Sequence, residues 1–152
     1  MTTSPTTGPT TATDAVVAFF LAVDRRDWAT VRAGLADQLR TDYTALSGGE
    51  PEELSAETLL DRWQALLPGF DVTQHHLGPL GRLSPTGWGC AVRGHHRIGD
   101  REWMVAGSYD LELERAADTW QITAITLHVS YVTGDTDLPA EATARAAAST
   151  SS

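Results

Sequence analysis

The sequence predicts a single α+β domain in which helices come first and an antiparallel sheet follows. Up to about residue 69, apolar residues recur at helical spacing, and from Phe70 onward they alternate with polar residues as in strands. One face of the sheet and one face of each helix are apolar, so we expect the sheet to bend strongly around the helices. A bent sheet packed on helices encloses a cone-shaped cavity, which is a common ligand site.

Three helices are predicted in the first half of the chain. The first begins near Thr13 and Asp14, an N-cap residue and a first-turn acid, and continues through the apolar run 15–23. The second begins at Trp28. The third follows Ser55, which is a candidate N-cap. The apolar stripe of the second helix consists of Trp28, Val31, Leu35 and Leu39.

The second half of the chain predicts four long strands separated by turn-forming residues. These strands cover residues 70–80, 86–98, 101–115 and 119–132. A short extended segment at 40–45 precedes the third helix. We expect residues 13–134 to form one domain. Residues 1–12, rich in Thr, Ser and Pro, predict a disordered tail, and residues 135–152 predict a second tail with room for a short helix before a disordered end.

The charge balance argues against nucleic acid and anionic membranes as partners. The 11 basic residues are all arginine and face 20 acidic ones, for a net charge of −9, whereas both partners need a basic face. The absence of lysine excludes Schiff-base chemistry on this chain and a P-loop lysine. The lone cysteine, Cys90, lies in a strand-like run and is expected to be buried and inert. Without a secretory signal or an apolar span, we expect a cytoplasmic protein.

Two tandem histidine pairs are the most unusual feature of the sequence. His75 and His76 lie in one predicted strand and His95 and His96 in the next, so four of the five histidines are paired. Because side chains alternate between the faces of a strand, one histidine of each pair faces inward and the other outward. If the two strands are neighbours, one imidazole from each can converge in the cavity. Alternation alone leaves open which histidine of each pair does so.

Asp24 is the candidate for a third group in the same site. It lies in phase with Val17 and Phe20 on a mostly apolar helix, where an unpaired carboxylate is costly. An ordinary helix-end charge beside Arg25 and Arg26 is an equally good interpretation of the same residues.

Two tyrosines and one arginine are weaker candidates. Tyr43 and Tyr109 have the pattern of core residues, for which a catalytic hydroxyl is the minority interpretation. Arg93 shares a strand face with His95 and is either a substrate anchor or a solvated charge. His128 alternates with apolar neighbours and is expected to face outward.

Five short motifs occur in order along the chain: D-R-R-D-W at 24–28, T-D-Y at 41–43, T-Q-H-H-L-G at 73–78, R-G-H-H at 93–96 and W-x-V-x-G-x-Y at 103–109. In this order they resemble the SnoaL-like, scytalone-dehydratase-like branch of the nuclear-transport-factor-2-like superfamily, over residues Asp14 to Gly134. The resemblance implies a cone-shaped barrel, formed by a strongly bent antiparallel sheet that three N-terminal helices wrap.

The resemblance also implies roles for individual residues. Asp24 orients a histidine, His75 and His95 are the two pocket histidines, and Tyr43 polarises a substrate carbonyl directly or through water. Neither a metal nor an organic cofactor is implied. Val23 replaces a tyrosine of scytalone dehydratase, so the substrate is expected to differ. The residues predicted to contact substrate are Trp28, Arg93, Tyr109 and Val129.

The predicted function is that of a cofactor-independent acid–base enzyme. Its substrate would be a small, largely apolar carbonyl compound, polyketide- or steroid-like, and its reaction a dehydration. An isomerase or a cyclase of secondary metabolism is the close alternative, because one His–Asp–Tyr set serves all three reactions. Alternatives of another class are a non-catalytic small-molecule-binding protein and a metal enzyme with a facial triad of two histidines and Asp24. The resemblance further implies a homodimer through the outer sheet face.

Overall fold

The computed structural model describes residues 11–150, in which helices cover one face of a bent seven-stranded sheet. The helices are α1 (Ala12–Arg25), α2 (Trp28–Ala33), α3 (Thr44–Ser47), α4 (Ala56–Gln64) and α5 (Leu138–Thr150). The strands are β1 (Leu35–Asp42), β2 (Glu52–Ser55), β3 (Val72–Leu77), β4 (Gly81–Arg82), β5 (Gly87–Ile98), β6 (Arg101–Ala116) and β7 (Thr119–Gly134). The α+β class is confirmed.

The sheet is mixed rather than purely antiparallel, which corrects one part of the prediction. Its order is β2-β1-β7-β6-β5-β3, with β4 beside β5, and it remains open between the outer strands β2 and β3. Strand β1 runs parallel to β7, whereas the other pairs are antiparallel. Register shifts between Ala106 and Gly107 and between Glu112 and Leu113 interrupt the β6–β7 ladder. Irregularities of this kind bend strands, and the bend creates space beneath the helices.

The second predicted helix is wrong beyond Ala33. Gly34 ends α2, and the next residues form β1, on which Leu35 and Leu39 are both buried. A spacing of four residues fits one turn of a helix, but it also returns to the same face of a strand. The apolar stripe therefore could not distinguish a helix from a strand. Gly34, a residue type common at helix ends, marks the point at which the helix stops and the strand begins.

The core lies between α1 and the concave face of the sheet. Val16, Phe19 and Phe20 on α1 pack into the same buried cluster as Leu111 and Ile125 on β6 and β7. Each buried side chain of this size stabilises the fold by roughly 1.5–3 kcal/mol. The packing fixes α1 across the sheet and therefore fixes the position of the polar residue at its end.

The C-terminal segment forms a helix that packs against the domain. Leu138, Ala142 and Ala146 recur every four residues along α5 and are buried. Gly69 lies so close to α5 that an added Cβ would be 1.8 Å from the carbonyl oxygen of Ala142. The predicted tail at 135–152 is therefore mostly ordered helix, and residues 151–152 lie outside the described residues.

The predicted N-terminal tail, residues 1–12, lies outside the described residues apart from Thr11 and Ala12. Thr11 rather than Thr13 is the N-cap of α1, since its side chain accepts a hydrogen bond from the Asp14 amide at 3.0 Å. Within residues 11–150, no helix combines the length and the apolar character needed to cross a membrane.

Candidate active site

A cavity of about 340 Å³ lies between the helices and the inner face of the sheet. Its walls are mainly apolar and include Phe20, Val92, Trp103, Val105 and Leu127. Its mouth is formed by the segment 44–50, which follows β1, together with residues of β2 and α4. The inward-facing polar groups on these apolar walls can therefore act on a small molecule with little competition from water.

His75 and Asp24 form a doubly hydrogen-bonded pair at the wall of this cavity. Asp24 Oδ1 lies 2.6 Å from His75 Nδ1, and Asp24 Oδ2 accepts the backbone N–H of His75 at 2.8 Å. Strand β3 is an outer strand of the sheet, so this amide would otherwise lack a partner. The side chains are only 12% and 13% exposed for His75 and Asp24, respectively. Asp24 thus anchors both the backbone and the ring of His75.

This contact decides between the two interpretations of Asp24 that the sequence left open. The carboxylate is paired with the histidine rather than with its neighbouring arginines. Arg26 instead donates to the carbonyl oxygens of Leu67 and Phe70, at 2.9 and 2.6 Å. With Nδ1–H donated to Asp24, His75 leaves Nε2 as the ring atom available to the cavity.

The second histidine of the cavity is His96, and the predicted position of His95 in the cavity is wrong. In the β3–β5 ladder His75 pairs with Gly94, and His96 pairs with Thr73, so His75 and His96 share the inner face. Their ring centroids are 6.4 Å apart. His95 faces outward, where Nδ1 lies 2.5 Å from Glu102 Oε1 and the ring lies 5.0 Å from that of His76.

His96 is held in a buried aromatic environment that keeps it neutral. Its ring centroid lies 4.5 Å from that of Trp103 and 4.8 Å from that of Phe70. Burial is the main cause that lowers the pKa of His96 to about 4, and repulsion from His75 is a smaller one. Its Nδ1 lies 3.2 Å from the Trp103 carbonyl oxygen, and a carbonyl only accepts, so Nδ1 carries the proton and Nε2 is an acceptor.

Two phenols also contribute to the polar lining of the cavity. Tyr43 and Tyr109 both line it, and their side chains interact with each other. Burial raises the pKa of each tyrosine well above the usual value near 10. Both phenols therefore remain protonated at neutral pH and can donate a hydrogen bond. Phe20 stacks on Tyr109 at 5.0 Å and contacts the His75 ring at 5.2 Å, which links the phenols to the histidine.

The other predicted substrate contacts do not reach the cavity. Arg93 is exposed and faces outward opposite His76, because its position on β5 has the same orientation as that of His95. Trp28 and Val129 are partly buried against the core and do not line the cavity. Leu127 is the β7 residue that lines it. Leu127 and Val129 lie on the same face of β7 in continuous register, so only the extent of the cavity separates them.

No set of three or more His, Cys, Asp and Glu side chains within residues 11–150 is arranged to hold a metal ion. The facial triad considered from the sequence would require Asp24 to face the same point as both inner histidines. Instead, both oxygens of Asp24 are engaged by His75. His128 faces outward as predicted, and its Nε2 lies 2.9 Å from Asp110 Oδ2 in an exposed pair.

The fold is an α+β cone in which helices and a bent sheet enclose a mainly apolar cavity. The SnoaL-like domain model matches residues 10–126, and the chain belongs to this family. The family and the bent sheet with its N-terminal helices confirm the resemblance to SnoaL-like and nuclear-transport-factor-2-like proteins drawn from the motifs. No curated protein matches the sequence significantly.

Solved structures with similar folds are distant in sequence. The Kfla4162 protein from Kribbella flavida is 21% identical with a TM-score of 0.72, over 79% of this chain and 88% of that one. A proposed scytalone dehydratase from Novosphingobium aromaticivorans is 14% identical with a TM-score of 0.62, over 80% and 83%. A type 2 hexachlorocyclohexane dehydrochlorinase, LinA, is 16% identical with a TM-score of 0.56, over 80% and 84%. At these identities the similarity shows the fold.

Proposed function

We propose that this protein is a cofactor-independent acid–base enzyme that dehydrates a small, largely apolar carbonyl compound. The observation that carries the proposal is the His75–Asp24 pair, in which a buried carboxylate holds one ring nitrogen and leaves the other for the cavity. A neutral imidazole with a carboxylate partner is a competent general base near neutral pH.

The first step is removal of a proton from the carbon next to the substrate carbonyl. His75 Nε2 takes the proton, and the negative charge of Asp24 stabilises the imidazolium that results. General-base assistance of this kind contributes about 10²–10⁴-fold to the rate. The electron pair of the broken C–H bond moves toward the carbonyl, which becomes an enolate.

The phenols stabilise that enolate. Tyr43 and Tyr109 are protonated donors in an apolar cavity, where a hydrogen bond to developing charge is worth more than in water. One phenol donates to the enolate oxygen, and the other is a second protonated donor beside it. The substrate carbonyl is accordingly expected to lie at the Tyr43–Tyr109 end of the cavity.

The second step is loss of the hydroxyl group on the neighbouring carbon. The enolate collapses to a conjugated carbon–carbon double bond, and the imidazolium of His75 returns its proton to the departing hydroxide, which leaves as water. His96 presents Nε2 as an acceptor and can hold the hydroxyl hydrogen so that the oxygen faces His75. Substrate minus water gives product, and the enzyme regains its starting protonation state.

Two structural relatives support an elimination. The names dehydratase and dehydrochlorinase both denote loss of a small molecule from adjacent carbons. An isomerase or a cyclase remains the alternative, because both also begin with an enolate. In an isomerase the proton returns to another carbon, and in a cyclase the enolate carbon attacks a second carbonyl within the substrate.

Hydrogen–deuterium exchange tests the first step without knowledge of the natural substrate. 1-Tetralone in D₂O should exchange its protons next to the carbonyl faster with the wild-type protein than without it, as followed by NMR. His75→Asn should lower the protein-dependent rate by about 10²–10⁴-fold. His128→Asn is the matched control, since it disrupts an exposed His–Asp pair. Equal rates for His75→Asn and wild type would refute the proposed base.

A hydroxylated probe tests the second step. 3-Hydroxy-1-tetralone that loses water gives 1-naphthol, which is followed by its absorbance. Formation of 1-naphthol that depends on His75 supports a dehydratase. Exchange of 1-tetralone without 1-naphthol formation favours the isomerase or cyclase, and binding of both probes without exchange or turnover favours a binding protein.

A further inference from the structure

The mouth of the cavity carries charged residues that the proposed chemistry does not use. Glu50, Glu52 and Arg62 line the cavity at this end. Glu52 belongs to β2 and Arg62 to α4, and their side chains join the two elements through contacts of 2.5 and 3.3 Å. Both side chains are about half exposed, at 50% and 53%.

Arg62 is the sole arginine among the cavity-lining residues of the described chain. Both terminal nitrogens of its guanidinium are engaged by Glu52, and this hydrogen bond lowers the pKa of the Glu52 carboxyl. Glu50 is exposed and forms no salt bridge with the described residues. The mouth therefore has two carboxylates and one cation that is already neutralised.

The interior holds hydrogen-bond donors but no positive charge that could neutralise an anion. His96 is neutral, the phenols are protonated, and the remaining walls are mainly apolar. The carboxylate of Asp24 lies directly behind His75. An ionised group on a ligand would lose its hydration and gain no counter-charge, which is unfavourable.

We infer that Glu50, Glu52 and Arg62 act as a charge filter that admits neutral carbonyl compounds and rejects those with a carboxylate or phosphate group. This inference rests on the proposed function, because it names the substrate class of the same cavity. The Glu52–Arg62 pair determines the selection. In the intact pair, the charge of Arg62 is neutralised by Glu52. If Arg62 instead bound an anionic ligand, the negative charges of Glu52 and Glu50 would remain next to that ligand and repel it.

Equilibrium dialysis with two ligands of matched shape tests the filter. 2-Acetonaphthone is a neutral methyl ketone, and 2-naphthoate replaces its methyl group with a charged oxygen. The wild-type protein should bind the ketone at least about tenfold more tightly at low salt, and the ratio should fall as salt screens the mouth.

Glu52→Gln is the decisive variant, because it removes one negative charge and releases Arg62. The ketone-to-naphthoate ratio should fall to about one or reverse, while affinity for the ketone stays within about twofold. Arg62→Gln should leave the ratio as high as in wild type or raise it. Glu53→Gln is the matched control, since Glu53 lies on the same strand, is exposed and does not line the cavity.

The outcomes separate this inference from the proposed function. Tight binding of naphthoate by the wild type, or an unchanged ratio in Glu52→Gln, would overturn the filter and leave the chemistry of His75 untouched. Failure of the wild type to bind the ketone would count against both. Because the substituted groups are exposed, each variant should fold, and a thermal melt within a few degrees of wild type checks that it does.

Discussion

His96 should make the protein less stable in mild acid, by an amount that follows from its environment. A histidine ordinarily titrates near 6.5, and burial lowers the pKa of His96 to about 4. Between these two values the unfolded chain binds a proton that the folded protein does not. Protons therefore favour the unfolded state, and stability is lost as the pH falls from about 6.5 toward 4.

The size of the effect is set by the separation of the two pKa values. Each pKa unit corresponds to about 1.4 kcal/mol. At pH 7 His96 is neutral in both states and costs almost nothing. At pH 5 the unfolded histidine is charged and the folded one is not, which removes about 2 kcal/mol of the free energy of unfolding. Below pH 4 the full loss is about 3 kcal/mol.

Urea denaturation at pH 7 and pH 5 measures this loss. His96→Gln retains an amide that can donate to the Trp103 carbonyl but cannot titrate. The drop in unfolding free energy between the two pH values should be about 2 kcal/mol smaller in His96→Gln than in wild type. His76→Gln should reproduce the wild-type drop, because His96 is still in place. Equal pH dependence in wild type and His96→Gln would refute the assignment of a buried, neutral His96.

Three further predictions concern the site and its support. His96→Ala should lower 1-naphthol formation by at least about tenfold, and His95→Ala should change it less than twofold, since only His96 faces the cavity; the reverse order would restore His95 to the site. Tyr43→Phe should lower kcat by about 10²-fold with little change in KM, as a lost donor to the enolate does; an unchanged kcat would remove the phenol from the mechanism. Gly69→Ala should destabilise the fold by about 2–3 kcal/mol in urea titrations, because its Cβ would overlap the backbone of Ala142; wild-type stability would show that α5 can shift freely.

The sequence predicted those elements whose apolar periodicity fits only one type of secondary structure. The first helix, the third helix with Ser55 as its cap and the long strands occur within a few residues of the predicted positions. Strand β1 was missed because a four-residue apolar repeat fits both a helix and a strand. Its parallel pairing with β7 joins segments about 85 residues apart, and a local pattern contains no information about such a contact.

Packing, rather than pattern, determined the role of Asp24. On α1 it follows Phe20 by four residues, so the sequence placed it on the inner side of the helix. Whether a carboxylate there is paired depends on the edge strand beside it. The structure places the free N–H and the ring of His75 at that point, which offsets the cost of a partly buried charge.

The choice between His95 and His96 shows where inference from strand alternation ends. Alternation requires that one member of each tandem pair faces the cavity, and this requirement is satisfied. Which member faces it depends on the register of two antiparallel strands, and a shift of one residue exchanges every inward and outward side chain. The observed register pairs His75 with Gly94, a position with no side chain, and His96 is the next inward residue of β5. A Cβ added at Gly94 would lie 3.4 Å from His96 Cε1, in ordinary contact, so a single methyl group there should narrow the space beside His75 while both histidines stay in place. Gly94→Ala should accordingly slow exchange of 1-tetralone and leave the acid destabilisation due to His96 intact.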